Sequence, residues 1–302
     1  MGGNILITGG AGFIGRALCR RLLDAGWVVY ATSRSPRADP GVRWIRSALE
    51  SPEEARRVVA AAEPRAIFHL AGAVGAGPDR ALVRPAFESL LASTIDVLDA
   101  ALDAGCRRIV LAGSFTEPRG GEDWPVPGSA YAAAKWAASG YGRMYNALYG
   151  APVAILRPFM VYGPGQAAGK IVPSVIGKLL DGQAAPLSSG RARADWVYID
   201  DVAEAFAAAA TAEGIDGRTI DLGAGALYSV REVAETLCRI VGGSARLALG
   251  ALPDRPAEIE VAADTGPAER LLGWRARTAL SEGLRRTVEL SRAERGARLR
   301  TD

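Results

Sequence analysis

One histidine in 302 residues, His69, leaves no second ligand for a His-based metal centre and no base for a Ser-His nucleophile pair. It ends an apolar stretch, "AIFHL", and reads as a core residue. Cysteine is nearly as scarce. Cys19, Cys106 and Cys238 are far apart and odd in number, which excludes a disulfide framework or a Cys-ligated metal. No metal is therefore expected, and a reducing cytoplasm is. Lysine appears only at Lys135, Lys170 and Lys178, so nearly all positive charge is arginine. Charge of one sign is missing too. With 36 basic against 33 acidic residues the net charge is +3, and no basic block exceeds pairs such as Arg107-Arg108 and Arg285-Arg286. That balance argues against nucleic acid as a partner. No apolar run is long enough to span a bilayer, and no basic region with a cleavable apolar segment opens the chain. Leu6 stands where a myristoylation signal has Ser or Thr, so no membrane partner is expected.

What is present alternates. "NILIT" (4–8), "WVVYAT" (27–32), "VRWI" (42–45), "AIFHL" (66–70), "RIVLA" (108–112) and "VAILR" (153–157) read as strands, several apolar on both faces. Helical patterns lie between them, and Gly26, Gly105 and Gly150 close three of these as C-cap glycines. Alternating β and α with right-handed crossovers predicts an α/β fold, a doubly wound parallel sheet of Rossmann type. After Arg157 the rhythm becomes irregular. The expected organisation is a dinucleotide-binding domain over residues 1–162 and a smaller C-terminal substrate-binding lobe over 163–302, with "RTIDLG" (218–223) returning to the sheet. Asp200 is placed to N-cap a helix, and Asp200-Asp201 do not form an acid–base pair, since adjacent residues do not face one another.

"TGGAGFIG" follows the first strand and opens the first helix, with Gly9, Gly12 and Gly15 three apart. Glycine there permits a tight turn and close approach of a pyrophosphate to backbone N–H groups at a helix N-terminus. A dinucleotide site is expected. The end of the second strand, "ATSRSPR", carries Ser33, Arg34 and Arg37 and no acid. An acid would bind the ribose 2′-OH of NAD and repel a 2′-phosphate, so NADP(H) is favoured over NAD(H).

Ser114 follows the fifth strand, at the sheet edge where open α/β sheets bind ligands. Tyr131 and Lys135, at i and i+4, share one helix face. An ammonium beside a phenol favours phenolate and lowers its pKa towards the working range. A serine hydroxyl can bond the same carbonyl oxygen that the tyrosine protonates, so the three polarise a ketone for hydride attack or take the proton from an alcohol in reverse.

With "TGGAGFIG", "HLAG" (69–72), Ser114, "YAAAK", "LRPFMVYGPGQ" (156–166), "DWVYIDDVAEA" (195–205) and "LLGWRARTALSEGLRRTVE" (271–289), the chain resembles, over nearly its whole length, the extended short-chain dehydrogenases/reductases. Within these it is similar to the NAD(P)-dependent epimerase/dehydratase group acting on nucleotide sugars. The resemblance implies Tyr131 as acid/base, Lys135 also on the nicotinamide ribose, and Ser114 on the substrate oxygen. It places Phe13, Ile14, Leu49, Leu70, Ala71, Gly72 and Pro158 around the cofactor, with Tyr131 and Lys135. Thr116, Met160, Lys170, Ile171, Val172, Arg193 and Arg255 fall on the nucleotide-sugar side. A homodimer through helices near 85–104 and 129–150 is implied as well. Apart from the resemblance, Tyr162 and Trp196 are candidates for lining the substrate cleft, with packing the favoured role for Trp196.

Four positions depart from the group's pattern. Thr116 occupies the place of the acid that 4,6-dehydratases carry, which argues against loss of water. Met160 replaces an Asn near the diphosphate. Ala194 replaces an Arg, with Arg191 and Arg193 nearby. Ala48 replaces an Asp near the adenine. The expected activity is thus NADP(H)-dependent reduction of a nucleotide-linked 4-keto-6-deoxyhexose. The alternatives are a C4 epimerase holding NAD, a reductase of a non-nucleotide ketone, and a non-catalytic cofactor-binding protein.

Overall fold

The computed structural model describes residues 3–73, 75, 77, 79–120, 125–242, 246–254 and 259–298. In chain order the elements begin β1 (Asn4–Thr8), α1 (Phe13–Asp24), β2 (Val28–Ser33), β3 (Val42–Arg46), α2 (Pro52–Ala62), β4 (Ala66–His69), α3 (Val83–Ala86) and α4 (Ser93–Asp103). They continue with β5 (Arg108–Ala112), α5 (Ala130–Tyr149), β6 (Val153–Pro158), β7 (Met160–Tyr162), α6 (Ile171–Leu180), β8 (Ala185–Pro186), β9 (Arg193–Tyr198) and α7 (Ile199–Ala209). The last are β10 (Thr219–Leu222), β11 (Leu227–Ser229), α8 (Val230–Val241), β12 (Leu247–Ala248), α9 (Gly266–Leu272) and α10 (Leu280–Arg298). Two compact units share these: residues 1–158, 203–222 and 266–274 form one, and 159–202, 223–265 and 275–302 the other.

The first unit is built on a parallel seven-stranded sheet in the order β10-β6-β5-β4-β1-β2-β3. Its order reverses between β1 and β4, the switch point at which doubly wound sheets open a crevice at their carboxyl ends. The inner strands are apolar on both faces because both are covered, while the edge strand β3 exposes Arg43 and Arg46. Leu6, Ile67, Ile109 and Leu111 pack with Val58, Val59, Val97, Leu98 and Tyr145 from α2, α4 and α5. Phe68 meets Phe206 of α7 with ring centroids 6.4 Å apart. Each such fully buried side chain contributes about 1.5–3 kcal/mol. The expected return strand is β10, parallel to β6 from Thr219↔Ile155 to Leu222↔Pro158. Gly26, Gly105 and Gly150 all take the left-handed conformation that ends their helices.

Two local expectations are corrected. The helix expected through residues 85–104 is interrupted by a π-helical segment at Phe87–Ala92. There Ser89, Ser93 and Thr94 hydroxyls donate to carbonyls four residues back, competing with the backbone ladder. Asp200 is not an N-cap, because β9 runs straight into α7 at Ile199. Asp200 and Asp201 occupy the first turn instead, where they complement the dipole, and Asp201 accepts the Thr278 N–H at 3.0 Å.

The second unit contains a β11-β9-β7 sheet. Asp195, 1% exposed, accepts the backbone N–H groups of Ala224, Gly225 and Ala263 at 2.7, 2.8 and 3.0 Å. One carboxylate thereby fixes two loops. Tyr162 and Trp196 fill this core: their rings are 6.3 Å apart, and Trp196 Nε1 donates to Tyr228 O. No helix among the described residues is long and apolar enough to cross a membrane.

Candidate active site

The glycine loop joins β1 to α1 at the switch point. Gly9 has φ +69°, and a Cβ on it would lie 2.7 Å from Ala71 N; one on Gly15 would lie 2.4 Å from Gly9 O. Only glycine lets the loop, the strand end and the helix approach so closely. The N-cap of α1 is Gly12, which has no side chain to satisfy the first-turn N–H groups, and no acid stands in that turn. Phe13 and Ile14 thus begin a helix whose N–H groups and dipole face the loop uncapped, a cradle for a pyrophosphate. The residues present fit a nicotinamide dinucleotide.

The neighbouring strand ends complete the cradle. Gly9 N–H donates to Thr32 Oγ1 at 3.0 Å, tying the loop to β2. Beyond it, Ser33 is buried and its Oγ accepts Ser35 N–H, while Arg34 and Arg37 are exposed, with no carboxylate among Ser33, Arg34 and Arg37. Leu49 is buried in a left-handed conformation, φ 58°, its N–H held by Ser47 Oγ. Such a conformation costs about 1–3 kcal/mol. Leu70, Ala71 and Gly72 follow β4. Ala71 N–H donates to Thr8 Oγ1, and the same hydroxyl is hydrogen-bonded to His69 Nδ1 at 2.8 Å. His69 is a core residue, as expected, and burial pulls its pKa down to about 3. Gly72 admits Leu90 of the π-helical segment, whose Cδ2 would lie 2.1 Å from a Cβ there.

The structure brings Ser114, Tyr131 and Lys135 together. Ser114 lies two residues beyond the end of β5 and is 6% exposed; its Oγ lies 2.8 Å from Thr116 Oγ1. α5 is capped by Ser129, whose side chain accepts Ala132 N–H, so the helix begins one residue before Tyr131. Leu90 and Ala86 pack with Ala134, and Tyr131 lies against them. Lys135 is buried and donates to Ala112 O at 2.7 Å, which holds its ammonium over the end of β5. Burial lowers Lys135 to about 8, against a raising effect of Glu117. Tyr131 behaves differently from the expectation of a lowered pKa. Burial raises it and outweighs the hydrogen bond with Ser114, which lowers it. The resting tyrosine therefore keeps its proton.

Glu117 is the residue that sequence reasoning missed. It is 2% exposed, and its carboxylate accepts Ser114 N–H at 2.6 Å. Next to it, Asp221 of β10 receives Arg157 Nε at 2.7 Å and Arg119 Nη2 at 3.0 Å, pinning the loop after β5 to the edge strand. The signal was "SFTEP", an acid three residues after the serine, within reach of its backbone. Pro158 is buried at the end of β6, its carbonyl accepting Phe115 N–H.

The residues expected on the substrate side lie mainly in the second unit. Met160 is half-buried on β7, Lys170 precedes α6, and Ile171 opens that helix. Val172 is fully buried in the unit's core. Arg193 is exposed on β9 and donates to Leu227 O at 3.2 Å. Arg255 lies outside the described residues. No cluster of three or more metal-ligating side chains occurs among those described.

The chain is similar to known proteins over nearly its whole length. The chain is 31% identical to a UDP-glucose 4-epimerase of Mycolicibacterium smegmatis, covering 95% of this chain and 98% of that one. It is 28% identical to dTDP-glucose 4,6-dehydratase 1 of Escherichia coli, covering 94% and 91%. Among solved structures, MoeE5 in complex with UDP-glucuronic acid and NAD superposes with a TM-score of 0.85 at 29% identity, over 96% of this chain and 99% of that one. The profile of the NAD dependent epimerase/dehydratase family matches residues 5–223. With its glycine cradle and its serine, tyrosine and lysine at one sheet edge, the chain is an enzyme and belongs to that family.

Proposed function

We propose that this enzyme is a nucleotide-sugar 4-epimerase that retains and recycles its nicotinamide cofactor. One observation carries the reading: the site keeps the whole acid–base set while offering no free acid for dehydration. Thr116, not a carboxylate, lies beside Ser114, and Glu117 is buried with its carboxylate engaged. The chemistry left is oxidation and reduction at one carbon. UDP-glucose and UDP-glucuronic acid, named for relatives, support a nucleoside-diphosphate hexose as substrate class.

A nicotinamide dinucleotide, when bound, supplies reversible acceptance and return of a hydride. The cradle of Gly9, Gly12, Phe13 and Ile14 would hold its pyrophosphate, and Lys135 its ribose. Tyr131 takes the proton of the C4 hydroxyl during oxidation and gives it back to the carbonyl oxygen after the sugar presents its other face. Ser114 Oγ donates a hydrogen bond to that oxygen in both halves. Lys135, compact and charged, favours the phenolate needed for the first half. The burial that raises Tyr131 favours the protonated form needed for the second.

A 4-ketoreductase using NADPH is the second reading, favoured by the acid-free end of β2 at Ser33, Arg34 and Arg37. Denaturing the as-purified protein separates the two. An epimerase releases stoichiometric nicotinamide dinucleotide, whose 2′-phosphate content identifies it as NAD or NADP; a reductase that exchanges its cofactor at each turnover releases none. The same reading includes a homodimer, supported by exposed Val83, Phe87, Tyr141, Leu148 and Tyr149 along residues 83–92 and α5. Buried free thiols at Cys19 and Cys106 suit the cytoplasm.

A further inference from the structure

We propose that Glu117 is a positioning residue for the acid–base set: its carboxylate fixes Ser114 through the backbone and supplies the buried negative charge that balances the Lys135 ammonium. The inference rests on the roles given above to Ser114, Tyr131 and Lys135. Its geometry is reciprocal. Glu117 Oε1 accepts Ser114 N–H at 2.6 Å, while Glu117 N–H donates to Ser114 O at 3.1 Å. Ser114 is thereby held at both ends of one tight turn, and its Oγ accepts Thr116 N–H at 3.2 Å.

Space for the carboxylate is specific to this sequence. A Cβ at position 113 would lie 2.5 Å from Glu117 Oε1 and 2.8 Å from Arg157 Cγ. Gly113 is what lets the acid fold back under the strand end. Around it stand Tyr131, Lys135 and the Ser139 hydroxyl from α5, and Arg157 from β6. Arg157 is in turn shared with Asp221 of β10, and His69 of β4 faces Lys135. Burial raises the Glu117 pKa; Ser114 N–H, Ser139, Arg157 and Lys135 all pull it back towards the charged form. A carboxylate that is 2% exposed in this setting acts through its neighbours' positions and charges rather than on substrate.

The scarcity of lysine provides the test. Protein labelled with ¹³C at the lysine ε-carbon carries only Lys135, Lys170 and Lys178 as reporters, and Lys170→Arg and Lys178→Arg assign them. In the wild type Lys135 should titrate low, pushed down by burial to about 8. Glu117→Gln keeps an acceptor for Ser114 N–H but removes the charge, so the Lys135 midpoint should fall by about one further pH unit. Glu117→Asp keeps the charge but not the reach. Its Lys135 should titrate as in wild type, while kcat falls about tenfold or more at unchanged KM. A Lys135 titration in Glu117→Gln that superposes on wild type overturns the proposal, as does wild-type kcat in Glu117→Asp, which decides the matter alone if the Gln protein does not fold. The lysine titration needs no substrate, so failure to turn over any nucleotide sugar would refute the proposed function without touching this result.

Discussion

At the scale of single residues, the account turns on protons. Tyr131→Phe removes the proposed acid/base and should lower kcat by about 10²–10⁴-fold while leaving dinucleotide binding within twofold or so, read by fluorescence titration. Near-normal turnover in that variant would contradict the assignment. Lys135 gives a pH signature. Its ammonium is lost above about 8, so activity should decline on that alkaline limb. His69 gives another, in stability. The unfolded chain takes up this proton near 6.5 and the folded chain only near 3, so below 6.5 the unfolded state binds more protons and folding stability falls. Near pH 5 the loss attributable to His69 is ~2 kcal/mol. Urea unfolding at neutral pH and near pH 5 should show that loss in wild type and its disappearance in His69→Gln; an equal acid loss in both would refute it.

Legibility in the sequence also divides at this scale. Ser114, Tyr131 and Lys135 were readable because their chemistry requires those residue types at the end of a strand and on one helix face. Glu117 was not, because the spacing in "SFTEP" puts an acid within reach of the Ser114 backbone without saying that its side chain turns back under Gly113. The raised Tyr131 was missed because burial, a tertiary quantity, outweighs the Ser114 hydrogen bond and the buried Glu117 charge adds to the rise.

At the scale of elements, strand–turn–helix order made the glycine loop legible. Gly15→Ala would place a methyl 2.4 Å from Gly9 O, forcing α1 away from the loop. Dinucleotide affinity should drop by about tenfold or more, whereas Gly140→Ala, with nothing near its Cβ site, should bind as wild type. Calorimetric titration with NAD and NADP decides this; equal affinities in the two variants would contradict the cradle. The π-helical segment and the missing Asp200 cap were not legible, since both depend on how neighbouring elements join. Hydroxyl back-bonding at Ser89, Ser93 and Thr94 competes with a regular ladder, and β9 leaves no residue between itself and α7.

At the scale of the whole molecule, exposed apolar side chains set the expectation for assembly. Leu148 is 68% and Tyr149 56% exposed, unusual for residues of their size on one helix. Sedimentation should give a dimer, and Phe87→Asp with Leu148→Asp a monomer; a monomeric wild type would remove the homodimer from the account. The parallel sheet was legible because its inner strands are apolar on both faces, but the second unit's loops were not. Asp195 organises Ala224, Gly225 and Ala263 across long sequence separations that no local pattern records. The central claim concerns what the assembled enzyme does to a sugar. As-purified protein, with no cofactor added, should be incubated with UDP-glucose, UDP-glucuronic acid and their dTDP, GDP and CDP counterparts, and the products resolved by NMR. The account predicts conversion of at least one substrate to an equilibrium mixture with its C4 epimer, without net consumption of dinucleotide. No epimer from any of them, or turnover only of a 4-keto sugar with stoichiometric consumption of NADPH, would contradict it.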